Sequence, residues 1–458
     1  MRHQGSAVHS GAALSAGIQL TPAINHNLYY RVNPFQSRNG ELYAEGVALS
    51  QIAAEFGTPC YVYSKQALTT TFERFRAGFA ASDHLVCFAV KANPSLAILN
   101  LFARMDAGFD IVSGGELARV LAAGGAAGKV VFSGVGKTAA EMRAALEAGI
   151  LCFNVESDAE LERLNTVAGE MGKIAPVSLR VNPDVDARTH PYISTGLKNN
   201  KFGVAYEGAL ALYQRATALP HIDVHGVDCH IGSQLTELTP FLDALDRVLA
   251  LVDQLQAVGI DIRHIDVGGG IGICYDDETP PEFAAYAEAI MRKLAGRKVK
   301  LILEPGRALV GNAGLLLTKV EYLKLTEAKN FAIVDAAMND LMRPALYDAY
   351  HDIVPVHGSD AAPQVYEVVG PVCESGDFLA LDRELDDIQP GEYLMVCDVG
   401  AYGFAMASNY NSRLRPAEVL VDGDRYAVIT AREQYDDLTR REIATPVWRG
   451  EDDGEGSD

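Results

Sequence analysis

The chain has 458 residues, 48% hydrophobic and 22% charged, enough for two or more domains with sizeable cores. A net charge of −21 argues against nucleic acid or an anionic membrane as partner. No apolar run approaches the ~20 residues of a membrane span. The seven cysteines are widely spaced with no Cys-x-x-Cys pair, so we expect a reducing, cytoplasmic setting, no disulfide framework and no metal site.

Residues 1–39, rich in Ala, Ser, Gly and His, read as a flexible extension without the apolar core of a signal peptide. Residues 40–64 hold two strand-like runs. From 65 to 310 the pattern alternates. Short β-rich runs fall near 85–90, 109–112, 130–133, 151–155, 177–182, 224–229, 264–267 and 300–304, with helical stretches between them. Asp158-Ala-Glu-Leu-Glu-Arg-Leu164 is one of these, with acids in its first turn. Eight alternations predict a (β/α)8 TIM-type barrel. An open doubly wound sheet would carry its Gly-rich turn after the first strand, whereas here the strongest Gly cluster comes late. Residues 311–445 change to short strands separated by Gly, Asp and Pro turns, which predicts an antiparallel β-sandwich or barrel domain that residues 40–64 join. The tail, 446–458, is acidic and Gly-rich and reads as disordered. The long stretch 183–202 has the length of a lid.

In a barrel, chemistry gathers where strands end. Strand one ends at Lys91, strand two passes Asp110, strand six runs into His230-Ile-Gly-Ser233, strand seven into Gly268-Gly269-Gly270 and strand eight into Glu304-Pro305-Gly306-Arg307. A lysine at the mouth of a buried strand is costly. Desolvation should lower its pKa, and a neutral amine can attack a carbonyl to form an imine. Pyridoxal 5'-phosphate (PLP) needs such a lysine, a partner for its ring nitrogen, a surface for its ring face and a phosphate cradle. Lys91, Glu304, His230 and the glycines with Ser233 supply these in turn. Each element alone has a plainer reading as a turn, a satisfied histidine or a snorkelling lysine.

The motifs Phe88-Ala-Val-Lys-Ala-Asn93, Phe109-Asp-Ile-Val-Ser-Gly-Gly-Glu-Leu117, Cys229-His-Ile-Gly-Ser-Gln234, Asp266-Val-Gly-Gly-Gly270 and Glu304-Pro-Gly-Arg307 continue with Arg343-Pro-Ala-Leu-Tyr347, Gly370-Pro-Val-Cys-Glu-Ser375 and Gly400-Ala-Tyr-Gly403. In this order, over about residues 40–435, the chain resembles the fold-type III PLP-dependent decarboxylases, whose architecture is alanine racemase-like. With no nucleic-acid or membrane partner expected from charge and hydropathy, the resemblance implies a homodimer with shared active sites and decarboxylation of meso-2,6-diaminopimelate to L-lysine and CO2. It implies Lys91 as the aldimine lysine. Asp110, His230, Ser233, Gly268, Gly269, Gly270, Glu304, Pro305, Gly306, Arg307 and Tyr402 would hold the cofactor. Arg307, Arg343, Tyr347, Glu374 and Tyr402 would hold substrate. Cys373 would be the proton donor, and it would come with Glu374 from the partner subunit.

The substrate has a second amino-acid head, whose carboxylate suits Arg343 and whose ammonium suits Glu374. Decarboxylases of ornithine, arginine, D-lysine or carboxylated polyamines, an amino-acid racemase, and a non-catalytic PLP-binding protein remain the alternatives.

Overall fold

The computed structural model describes residues 34–185, 201–359 and 362–449. Of the segment 183–202 read as a lid, residues 186–200 lie outside the described residues, as do 1–33 and 450–458.

The described chain opens with a small antiparallel sheet, β1 (Phe35–Arg38), β2 (Glu41–Ala44) and β3 (Val47–Ala48). β4 (Cys60–Ser64) then enters a larger sheet, and Ser64 caps the helix Lys65–Gly78 by accepting from the Ala67 N–H. The eight expected parallel strands follow. They are β5 (His84–Ala89), β6 (Gly108–Ile111), β7 (Val130–Phe132), β8 (Cys152–Val155), β9 (Ala175–Asn182), then β11 (Ile222–Asp228), β12 (His264–Asp266) and β13 (Lys300–Leu303). The two-residue β10 (Val204–Ala205) adds to β9. β13 pairs with β5 and β8 with β9, so the sheet closes on itself as a barrel. Three consecutive β→α loops end in a hydroxyl that starts the next helix. Ser113, Thr138 and Ser157 each accept from the N–H three residues on, which satisfies a helix-start donor that would otherwise have no partner.

The pleat decides what the barrel contains. Side chains alternate along a strand, so positions two apart share a face. The inward set runs Cys87–Ala89, Gly108–Asp110, Val131–Ser133, Cys152–Asn154, Ser178–Arg180, Gly226–Asp228, His264–Asp266 and Ile302–Glu304, and the parallel registers keep these positions side by side. Bonds across the interior agree, with the Cys152 thiol 3.8 Å from His264 Nε2 and the Asn154 amide 3.3 Å from Glu304 Oε1. The outward face of the strands packs on the helices. Phe72, Phe75, Phe88, Phe102 and Phe109 are all 0–1% exposed there, each contributing roughly 1.5–3 kcal/mol by burial.

After the barrel come β14 (Gly314–Leu325), β15 (Asn330–Val334), β16 (Ile353–Pro355), β17 (Gln364–Val369), β18 (Phe378–Leu385), β19 (Tyr393–Val396), β20 (Ala417–Asp422) and β21 (Arg425–Thr430). With β4 they form one mostly antiparallel sheet. β4 lies between β14 and β20, so segments before and after the barrel share that sheet. The fold is therefore the expected TIM-type barrel with a β domain. The loop after β19 returns to the barrel mouth, where Asn93 Nδ2 donates to Gly400 O at 3.0 Å and the Tyr402 N–H donates to Ala92 O at 2.8 Å.

Candidate active site

The mouth of the barrel opens into a cavity of about 820 Å³. At and beneath its floor lie the last inward positions of the strands, which apart from Ala89 are polar: Asp110, Arg180, Asp228, Asp266 and Glu304, with Ser133 and Asn154 between them. Oxygens of Asp228, Asp266 and Glu304 lie within 4.8 Å of one another. Burial, and then the neighbouring carboxylates, push Glu304 and Asp228 well above the usual carboxyl range. Glu304 and Asp228 are thus the acids of this group whose protonated form the surroundings favour. Glu304 Oε1 meets the Ser133 hydroxyl at 3.5 Å and the Asn154 amide at 3.3 Å.

Lys91 rises from the short turn Val90–Ala92 directly after β5 and lines the cavity. Its Nζ lies 3.3 Å from Asp110 Oδ2. The expected lowering of its pKa is corrected here. Burial does favour the neutral amine, but its charged neighbours, the Asp110 carboxylate first, outweigh it and the amine sits above its ordinary value. Asp110, at the end of β6, is fully buried, and its Oδ1 has no hydrogen-bond partner.

His230 follows β11. Burial first, then Arg180 and Lys91, hold its pKa well below the ordinary imidazole value, so the ring is neutral. Its Nδ1 accepts from the Gly269 N–H at 3.2 Å. The glycine turn requires glycine. Gly268 and Gly270 sit at φ +67° and +111°, and a Cβ on Gly269 would stand 2.1 Å from Glu304 O. Gly268 N–H donates to Asp266 Oδ1 and Gly268 O accepts from Glu304 N–H, both at 2.8 Å, while Pro305 O accepts from the Ala89 N–H at 3.1 Å. The turns after β12 and β13 thus brace each other, with Gly270 and Gly306 facing the cavity.

The far wall is cationic. Arg307 donates to the Tyr275 hydroxyl at 2.5 Å and to Ser233 Oγ at 3.2 Å, and its guanidinium lies 4.9 Å from the Tyr402 ring centre. Its buried Nε has no partner. Arg343, on the short helix Arg343–Tyr347, lies 4.5 Å from the Tyr275 ring centre, and Tyr347 lines the same cavity. Cys373 and Glu374 are the exceptions. Both are exposed and outside the cavity wall, where Cys373 N–H donates to Asn411 Oδ1 at 3.2 Å and Glu374 accepts from the Tyr410 hydroxyl at 3.0 Å.

Arg180, Tyr275 and His351 belong to this site and were not read from the sequence. Arg180 pairs with Glu156 at 3.1 Å beneath the Phe202 ring. Its signal was a charge at an inward position of an otherwise apolar strand, together with the charges at Asp228 and Asp266. Tyr275 and His351 sit in loops and gave no periodic signal.

Residues 65–311 match the family model described as "Pyridoxal-dependent decarboxylase, pyridoxal binding domain". The chain belongs to this family of pyridoxal-dependent decarboxylases. It is 60% identical over 420 residues to the diaminopimelate decarboxylase of Pseudomonas aeruginosa, covering 92% of this chain and 99% of that one. Two solved structures are similar. One is diaminopimelate decarboxylase from Helicobacter pylori complexed with L-lysine, with TM-score 0.83, 43% identity and coverage of 86% and 98%. The other is the M. jannaschii diaminopimelate decarboxylase in co-complex with L-lysine, with TM-score 0.86, 40% identity and coverage of 90% and 98%. Within the family, the full-length likeness is to diaminopimelate decarboxylases.

Proposed function

We propose that the barrel mouth binds PLP and that the protein decarboxylates meso-2,6-diaminopimelate to L-lysine and CO2. One observation carries the reading: a single cavity is lined by Lys91 and Glu304 over the barrel floor and by Arg307 and Arg343 on the opposite wall. The residues fit the cofactor. Asp110 Oδ1 and Arg307 Nε are buried polar atoms awaiting partners, and Gly268–Gly270 form a turn that a side chain would block. Gly270, Gly306 and Ser233 would cradle the phosphate, His230 would face the ring and Glu304 would meet the ring nitrogen.

When bound, PLP supplies an aldehyde that captures the substrate amine and a ring that accepts the electron pair left by CO2. The chain's own groups do the rest. Lys91, held against Asp110, must give up its proton before its amine can bond carbon. Glu304 carries a proton in the carboxyl cluster and can present it to a pyridine nitrogen. Neutral His230 offers an uncharged face, which leaves the positive charge to the ring. Arg343, with Arg307 behind Tyr275, takes the carboxylate of the substrate's unreacted head. Tyr347 and Tyr402 bound the space between, with Tyr402 fixed by its bond to Ala92.

A proton must then reach the carbon that lost CO2. Cys373 is the donor in this reading, and Glu374 takes the distal ammonium. Both lie outside the cavity of their own chain, so they would be delivered by a second subunit, and the working unit is a cytoplasmic homodimer. Among the described residues no helix is long and apolar enough to cross a membrane.

The test supplies PLP and compares CO2 release from meso-diaminopimelate, L-lysine, L-ornithine and D-lysine. Release from meso-diaminopimelate alone, with L-lysine formed, is expected. Release from a monocarboxylate would overturn the substrate, and no release at all would overturn the reaction.

A further inference from the structure

Behind Arg343 sits a side chain that the chemistry above does not use. His351 is fully buried, with Nδ1 2.8 Å from the Cys397 carbonyl oxygen and Nε2 2.7 Å from Arg343 NH1. A carbonyl oxygen cannot donate and a guanidinium cannot accept, so both ring roles are fixed: Nδ1–H donates to Cys397 and Nε2 accepts from Arg343. The ring is therefore neutral. Its surroundings keep it so, since burial comes first and Arg343, Arg307 and Arg383 all disfavour a further positive charge. The acid next to it in the chain, Asp352, is paired with Arg383 at 3.2 Å. Tyr275 closes the other side, edge-on to the imidazole at 5.3 Å.

Among the described residues no carboxylate pairs with Arg343. A carboxylate in place of His351 would fix the guanidinium as well as an imidazole does, but would cancel its charge. A neutral ring with a pinned tautomer orients one N–H and leaves the charge and the remaining donors for a ligand. Tyr275 adds the second constraint. Its hydroxyl is taken by Arg307 at 2.5 Å and its face lies 4.5 Å from Arg343, so one ring contacts both guanidiniums and helps hold them in place.

We propose that His351 is a positioning residue that sets selectivity for a substrate carboxylate, by holding Arg343 through a neutral acceptor. The proposal rests on the reading of Arg343 as the holder of the distal carboxylate. It predicts that His351 governs ligands with a carboxylate at that end and is indifferent to those without one.

The experiment measures binding of L-lysine and of 1,5-diaminopentane, its analogue without the carboxylate, to the PLP-loaded enzyme by calorimetry. His351→Leu removes the acceptor. His351→Gln returns an amide oxygen near the Nε2 position, and Arg343→Gln tests the underlying reading. L-lysine binding should weaken about tenfold in His351→Leu, recover to within about threefold of wild type in His351→Gln, and weaken most in Arg343→Gln. Binding of 1,5-diaminopentane should not change. If Arg343→Gln binds L-lysine normally, the distal-carboxylate reading fails. If Arg343→Gln weakens it and His351→Leu does not, only the proposal fails. Equal weakening of both ligands in His351→Leu, or no recovery in His351→Gln, would mean a structural role and would also overturn it.

Discussion

The 3.3 Å contact between Lys91 and Asp110 favours a protonated amine where the proposed reaction calls for a neutral one. Asp110 is the foremost of the charges that raise the lysine's pKa, so Asp110→Asn should lower it, because the charged form loses its closest anion. The neutral fraction then grows at any given pH. Bond formation between lysine and added PLP, followed by its absorbance, should shift its pH profile to lower pH in the variant. An unshifted profile would remove Asp110 from this role. Lys91→Ala should give no lysine-bound cofactor absorbance and lose activity by roughly 10³-fold or more. A retained band would reassign the lysine. Cys373→Ala should keep that absorbance while turnover falls by about 10²–10⁴-fold, the usual worth of a placed acid. Near-normal turnover would reject Cys373 as donor.

At the scale of elements, the barrel floor is built by strand parity, and its stability should depend on pH in a way that parity explains. Asp266 lies on β12 among Asp110, Glu304 and Asp228, and its folded pKa is raised, with burial the largest cause. A carboxyl raised in the folded state binds more protons folded than unfolded. It therefore costs stability progressively as pH climbs from the unfolded value near ~4 to the raised one, and the full penalty remains above that. Asp266→Asn keeps an oxygen for the Gly268 N–H and removes the titration. The PLP-free variant should melt with the wild type at about pH 4 or below and about 2–4 °C higher at pH 8. A gap that is equal at both pH values would reject the buried titration.

Much of this floor was legible before the structure. Lys91, Asp110 and Glu304 stand at the ends of apolar runs, where a charge is conspicuous. Asp228 and Asp266 obey the same rule, but each stands two positions before a louder run, His230-Ile-Gly-Ser233 or Gly268–Gly270. In the β domain the runs at β14, β15, β17, β19, β20 and β21 were readable, whereas β16 and β18 were not. β18 lies at the sheet edge, its pairing with β17 slips register twice, and its exposed positions break the alternation of Phe-Leu-Ala-Leu-Asp-Arg-Glu-Leu. Tyr275 and His351 are set by tertiary packing alone, and no sequence period marks a loop residue.

At the scale of the whole molecule, the placement of Cys373 and Glu374 is the decisive feature. They occupy an exposed turn after β17, held by Asn411 and Tyr410, while Lys91, Glu304 and Arg343 line a cavity that this turn does not reach. On the proposed reading, in which Cys373 and Glu374 serve the same site as Lys91, the two halves would be joined through another copy, and a two-fold dimer would do so twice. This gives a sharp expectation for mixed subunits. Lys91→Ala and Cys373→Ala homodimers should each be nearly inactive. Unfolded together and refolded as a mixture, half of the dimers should be mixed. Each mixed dimer has one site with both lesions and one site with neither, so activity should return to roughly a quarter of wild type. If each chain instead completed its own site, every site in the mixture would carry one lesion and no activity would return. Sedimentation at the assay concentration would establish that the mixed samples are dimeric, so a failure to recover activity could not be blamed on failed assembly.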